Sequence, residues 1–252
     1  MTNDNRDRTI FYMASFDRDY LLYQYDFYFS QAKKRIFSQF SDLDEAAKEH
    51  AEEWYAKAVE NFNSDIYDEG DISEEAYNKQ IVFYLALEEM GNTVYLSIMS
   101  SLYYRWEKDL REWIVKEMLH TFRNGAIKNK VWSLNIPDLI DVLESFGISI
   151  TSKPFYPKLE LFGKVVNVYK HGDGNSFKSL RLSNPEYFQA VNHVEDADKH
   201  KYINHNDLIL SESQFDDFYQ VIKDFWMNIP EYTKLSQTKK LPTWLDNLLN
   251  KV

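Results

Sequence analysis

The sequence predicts an all-α protein: a helical bundle with long N-terminal helices and at most minor extended pieces. Three observations carry this reading. Only 7 Gly and 6 Pro punctuate 252 residues, so turn-formers are scarce. Apolar side chains recur at three- and four-residue spacings over long stretches. Helix-closing and helix-opening residues then mark the breaks, as with Gly172 after His171 and Ser211 three residues before Gln214. With 18 Tyr, 17 Phe and 6 Trp, the core is expected to be built from large interlocking rings.

Thr9 to Phe40 contains no Gly or Pro and reads as one long helix. Phe11, Phe16, Tyr20, Tyr23, Phe27, Ala32, Ile36 and Phe37 are assigned to a buried stripe in preference to a ligand-stacking face. Ser41 to Asp44 caps a second helix reaching about Phe62, and Asn63 to Asp71 breaks it at Gly70. A third helix opens at Ser73-Glu74-Glu75-Ala76, with acids complementing its dipole, and runs to about His120 with a break expected at Gly91-Asn92. Its second half offers Leu96, Met99, Leu102, Tyr103, Trp106, Leu110 and Trp113 as a broad inner face. Glu107 and Arg111 form an i, i+4 pair on it.

Phe122 to Asn135 reads as a loop. Asn135-Ile136-Pro137 opens a short helix that Gly147 ends, and Ile148 to Ile150 is a short extended piece. The central helix from Phe155 turns Phe155, Leu159, Phe162, Val166 and Tyr169 inward and closes at Gly172. Ser176 to Leu182 follows, and His193 to Asp207 is a polar loop. The Ser211-Glu212-Ser213-Gln214 capping box opens a helix to Met227 that buries Phe215, Phe218, Tyr219, Ile222, Phe225 and Trp226. A last short helix after Thr243 docks through Trp244, Leu245, Leu248 and Leu249. One helical domain is the simplest description, with an acidic N-terminal part (1–72), a core (73–235) and a docking helix (236–252).

The net charge is −11. Between Asp42 and Glu75 stand thirteen acids against Lys48 and Lys57. Asp65, Asp68, Glu69 and Asp71 invite a calcium-loop reading, but the central Gly and terminal Glu of that loop are missing. A solvated helix face accounts for these acids better than a calcium site or a mimic of DNA. Cysteine is absent, which removes disulfides, thiol nucleophiles and thiolate metal sites together. The histidines lack the His-Glu-x-x-His spacing, and His193, His200 and His205 have no ligand-like spacing. Neither a Gly-rich phosphate loop nor a Gly-x-Ser-x-Gly elbow is present. No cofactor and no metal are therefore expected. No run approaches the roughly 18 apolar residues of a membrane span, and the first eight residues have no apolar stretch, so a cytoplasmic protein without a membrane partner is expected.

The candidate site lies on the central helix. Glu160, Lys164, Asn167 and His171 make a second stripe beside its apolar face, and His171 sits in the last turn. Around it the sequence is basic: Lys153, Lys158, Lys164, Lys170, Lys178 and Arg181 face only Glu160 and Asp173, a local +4 in an acidic chain. Two readings stand side by side. In one, His171 is a general acid or base, Asn167 orients a ligand and the cations hold phosphate. In the other, His171 is a favourable cation at a helix C-terminus and Asn167 is a solvated or capping side chain.

These residues resemble a known family. The apolar helix from Leu96 to Ile114, ending in Trp106-Glu107-Lys108-Asp109-Leu110-Arg111-Glu112-Trp113, is followed by Asn167-Val168-Tyr169-Lys170-His171-Gly172-Asp173-Gly174 and by the closing helix Phe218 to Trp226. Together they are similar to the HEPN superfamily, helical-bundle proteins common in bacterial toxin-antitoxin and abortive-infection systems. The resemblance implies a metal-independent endoribonuclease with an Arg, a following polar residue and a His five or six positions on, completed by a homodimer or by a partner protein of the same system. Asn167 and His171 match the last two, and Val166 stands at the Arg position. Lys164 and Lys170 are the cations nearest to it, without the two-pronged grip of a guanidinium. Catalysis then falls to His171, Asn167 and Lys164, with Lys170, Glu107, Arg111, Lys178 and Arg181 as RNA-binding candidates. The counterpart from another class is a non-catalytic HEPN-like module that binds a protein or nucleic acid.

Overall fold

The computed structural model describes residues 8–60, 69–189 and 199–249. Among these residues the protein is all-α apart from a two-stranded ribbon, β1 (Thr9–Tyr12) with β2 (Tyr232–Lys234). The helices are α1 (Ser15–Arg35), α2 (Leu43–Glu60), α3 (Glu69–Phe122), α4 (Ala126–Ser133), α5 (Ile136–Ser145), α6 (Tyr156–His171), α7 (Asn175–Ser183), α8 (Lys199–Tyr202), α9 (Glu212–Asn228) and α10 (Thr243–Leu249). Two compact units result: residues 28–98, and residues 1–27 with 99–252. Both α1 and α3 run from one unit into the other, so the units divide the chain elsewhere than at the compositional boundaries 72/73 and 235/236. Among the described residues no helix is long and apolar enough to cross a membrane.

In the unit of residues 28–98, small side chains let helices approach. Ala47 and Ala51 of α2 and Ala76 of α3 are buried. Phe37 meets Tyr95 edge-on at 4.2 Å, and His50 stacks on Phe83 at 4.1 Å. The helix break expected at Gly91-Asn92 does not occur: α3 is continuous for 54 residues. Gly91 instead makes room for a neighbour, since a Cβ there would lie 3.0 Å from the Phe40 ring. The acids Asp42, Asp44, Glu45, Glu49, Glu52, Glu53, Glu60, Asp71, Glu74 and Glu75 are exposed, a solvated face as read from the sequence; Asp65, Asp68 and the Glu69 side chain lie outside the described residues.

In the larger unit the inner face of α3 from Met99 onward is buried as its spacing predicts. Trp106 meets Phe225 of α9 edge-on at 5.1 Å, Trp113 meets Trp226 at 6.2 Å, and Phe162 of α6 stacks on Phe218 at 4.5 Å. The capping box of Ser211 and Gln214 opens α9, and Asn135 accepts the Asp138 amide to open α5. The N-terminal reading needs two corrections. Thr9–Tyr12 is a strand, held by β2 and by residues of α3. The second is that α1 buries Arg18, Tyr25 and Ala32 sides instead of the aromatic stripe: Phe16, Tyr20, Tyr23 and Phe27 are all exposed. The expected loop at 122–135 is also partly helical, because α4 starts where Asn124 accepts the Ala126 amide.

The free edge of β1 is satisfied by a row of side chains one turn apart on α3. Trp113 Nε1 donates to the Tyr12 carbonyl at 3.0 Å, and the Tyr12 amide donates to Glu117 at 3.1 Å. The Thr121 hydroxyl donates to the Ile10 carbonyl at 3.3 Å. Three backbone groups of the ribbon edge, the Ile10 carbonyl and the Tyr12 amide and carbonyl, thereby gain partners.

Candidate functional site

The corner between α6 and α7 collects the chemistry. Pro157 sits in the first turn of α6, where its missing N–H is harmless, and Leu159, Phe162, Val165, Val166 and Val168 are buried. Tyr169, expected inside, lies at the margin and is exposed. Gly172 closes the helix with φ +64°, and its amide donates to the Val168 carbonyl at 2.8 Å. That backbone favours glycine, and a side chain there would also press on the imidazole of His205, whose nearest atom would lie 3.1 Å from the new Cβ. His205 Nδ1 lies 3.2 Å from Asp173 Oδ1, so the corner joins residues 32 positions apart.

The partner segment is itself well fixed. His205–Asp207 is a short 3₁₀ turn opened by Asn204, whose side chain accepts the Asn206 amide at 2.9 Å and donates to Asp207 at 2.7 Å. Beside it the Gln189 amide donates to the Asp207 carbonyl and the Ile209 amide to the Tyr187 carbonyl. His205 is thus presented by a braced turn, which restricts how its ring can move.

The sequence-predicted residues distribute as follows. His171, Asn167 and Lys170 are exposed on α6, and Lys164 is half-buried. Lys170 Nζ lies 4.9 Å from the centre of the Tyr104 ring. On α7, Lys178 is exposed and Arg181 lies over the Phe177 ring at 5.1 Å. Lys158 pairs with Asp217 at 3.1 Å. No hydrogen bond or ion pair among the described residues engages His171, Asn167, Lys164 or Lys178. Of the basic residues, Lys170 and His171 lie in the last turn of α6, exposed at the negative end of its dipole, where positive charge is favourable.

Glu107 and Arg111 do not join them. The Arg111 guanidinium is buried and donates to the Val131 carbonyl at 2.7 Å and the Leu134 carbonyl at 2.8 Å, while its Nε donates to Glu107 at 3.0 Å. It closes the C-terminus of α4, where carbonyls lack partners. Packing directions explain the separation from His171. Tyr104 meets Lys170, Tyr103 meets Phe162 at 5.0 Å, and Trp106 approaches Phe155 through Phe225. Following α3 forward therefore follows α6 backward, so Glu107 and Arg111 lie toward the Phe155 end and His171 toward the other.

The residue that sequence reading passed over is His205, grouped there with His193 and His200 in a polar loop. Of these, the His193 and His200 side chains lie outside the described residues, and no cluster of three or more metal-ligating side chains forms among the described ones. The corner is open, with His171, Asn167, Lys170, Asp173 and Lys178 all exposed. Such a surface suits a polymer backbone passing across it better than a small molecule, which requires enclosure. Comparison of the chain with protein-family models, curated proteins and solved structures finds no match.

Proposed function

We propose that the protein is a HEPN-like, metal-independent endoribonuclease of a bacterial phage-defence or toxin system, acting in the cytoplasm on RNA as a homodimer or with a partner protein of that system. The observation that carries the reading is the imidazole of His205, hydrogen-bonded to Asp173 and packed on Gly172, the residue next to His171. Cleaving RNA through its own 2′-hydroxyl needs a base at one oxygen and an acid at another, and two histidines at one corner supply both.

In the step proposed, neutral His171 takes the proton of a ribose 2′-hydroxyl. The 2′-oxygen attacks the adjacent phosphorus, the bond from phosphorus to the 5′-oxygen breaks, and His205 in its protonated form gives its proton to that leaving oxygen. A 2′,3′-cyclic phosphate and a 5′-hydroxyl end result. Asp173 orients the His205 ring. Asn167 holds a phosphate oxygen, and Lys164 and Lys170 steady the charge that develops on the phosphate, with Lys178 and Arg181 along the strand's path.

The reading is tested with purified protein, labelled single-stranded RNA and EDTA. Cleavage that persists in the chelator, leaves cyclic-phosphate ends, and falls about a hundredfold or more in His171→Ala and His205→Ala supports it. RNA bound but uncut by the wild type moves the assignment to a non-catalytic binding module. That second reading is favoured by Val166, which is buried in the core at the position where the family carries Arg. RNA neither bound nor cut ends both.

A further inference from the structure

α1 turns toward solvent a row of rings whose order reads the same in both directions. Phe16, Tyr20, Tyr23 and Phe27 are 77%, 59%, 64% and 57% exposed. At about 100° per residue they fall on one narrow face, opposite the face that carries Arg18 and Tyr25 inward. Arg18 donates to the Ile229 carbonyl and Tyr25 to Asp109, so the helix is fixed in this rotation. The spacing is symmetric about the bond between Leu21 and Leu22, and so are the residue types: Phe16-Asp17 and Tyr20-Leu21 on one side are answered by Leu22-Tyr23 and Asp26-Phe27 on the other.

We propose that this stripe is the interface of a symmetric homodimer in which α1 of one protomer lies antiparallel on α1 of its partner. A twofold axis between the two helices, level with the Leu21–Leu22 bond, sets Phe16 against the partner's Phe27 and Tyr20 against the partner's Tyr23, so every ring meets a ring. A helix with a palindromic stripe is complementary to itself, which is what an isologous contact demands. The exposed part of four rings amounts to about 500 Å² per protomer, given the area an aromatic side chain can bury. The pair then covers about 1,000 Å², the lower bound for a specific interface. The same axis brings Asp17 near the partner's Asp26, but each carries its own counter-ion: Lys116 lies 3.9 Å from Asp17 and Lys223 lies 3.0 Å from Asp26. The flanks are therefore salt-paired and not simply acidic. This interface does not rest on RNA cleavage, and its test has a separate readout.

The chain has no cysteine, so introduced thiols report geometry without interference. Full-length Phe16→Cys and Phe27→Cys proteins are oxidised or treated with a short bismaleimide, separately and mixed. In the antiparallel pair like positions lie about 16 Å apart along the axis, so each protein alone stays uncrosslinked and the mixture yields one covalent dimer. Sedimentation of the unmodified chain gives twice the monomer mass, and a Tyr20→Asp/Tyr23→Asp protein of unchanged helical circular dichroism dissociates at least tenfold more readily. A chain that is monomeric at every concentration overturns the proposal. So does Phe16→Cys linking to itself, which is the mark of a parallel pair, or a dimer indifferent to the Tyr20→Asp/Tyr23→Asp change.

Discussion

The Tyr25 hydroxyl donates to Asp109 Oδ2 at 2.6 Å from a ring wholly closed to solvent. This bond ties α1 to α3 across a sequence separation of 84 residues. Burial raises the Asp109 carboxyl above its ordinary range, while the Tyr25 hydrogen bond and the nearby Arg105 guanidinium oppose that rise. Tyr25→Phe removes the donor and keeps the ring. The change is expected to cost about 1–3 kcal/mol, the penalty for stranding a half-buried acceptor, as read from urea unfolding. An unchanged midpoint would mean that water reaches Asp109 in its place.

Two glutamates are expected to respond to pH in opposite directions. Glu144 is subject to desolvation that raises its carboxyl, but the Thr151 and Ile150 amides, the Thr151 hydroxyl and Lys239 outweigh it and leave the group below its ordinary value. Its contribution is therefore present above the unfolded-state range of about 4.3 and fades as pH falls through the lower folded value. Burial holds Glu117 above its ordinary value. The folded state then binds that proton more readily than the unfolded chain, so stability linked to Glu117 grows as pH falls through the raised value. Thermal melts between pH 3 and pH 8 should show Glu144→Gln destabilising most at neutral pH. Glu117→Gln, which keeps an acceptor for the Tyr12 amide, should be neutral or stabilising there, with its advantage shrinking in acid.

Gly172 and Gly125 make a matched pair. Gly172 has φ +64° and the His205 ring close by, whereas a Cβ at Gly125 meets nothing within 4 Å. Gly172→Ala should cost about 1–2 kcal/mol of stability from backbone strain and also displace His205. Gly125→Ala, at an ordinary helical φ of −60°, should be neutral or stabilising by up to about 1 kcal/mol. If RNA is cleaved, only the Gly172 change should depress the rate in assays at a temperature where both proteins are folded.

Arg111→Met separates a structural from a ligand-binding role. Its guanidinium serves two carbonyls at the end of α4 and pairs with Glu107. Removing it strands the Leu134 carbonyl and a half-buried carboxylate, while the Val131 carbonyl keeps the Leu134 amide, with an expected loss of about 3–5 kcal/mol. Affinity of the folded variant for a single-stranded RNA should stay within twofold of the wild type. A weakened affinity with unchanged stability would return Arg111 to the binding surface.

What the sequence disclosed, and what it withheld, follows from the range of the forces involved. The inner face of α3, the α5 and α9 caps and the Gly172 stop are local matters of spacing and backbone chemistry, and they are where the residues say they should be. The rotation of α1 was not legible, because apolar residues lie on both of its faces: Phe16, Tyr20, Tyr23 and Phe27 on one, Leu21, Leu22, Tyr28 and Phe29 about the other. A polar anchor decided it, Tyr25 finding Asp109 and Arg18 finding a carbonyl near the end of the chain. Gly91 misled for a similar reason, since its want of a side chain serves the Phe40 ring and not a bend. At the site, the exposed row of Asn167 and His171 followed from helical period. The approach of His205 did not, since it depends on how the segment after α7 folds back.

The ribbon edge bears on how the chain comes together during synthesis. Thr9–Tyr12 is synthesised more than 200 residues ahead of its pairing strand. A short unpaired strand waiting that long invites contact with other nascent chains. α3 is made long before β2, and Trp113, Glu117 and Thr121 already match the carbonyls and amide of Ile10 and Tyr12. A helix can thus shelter the strand as a temporary companion, so the last strand to arrive completes a pairing already aligned.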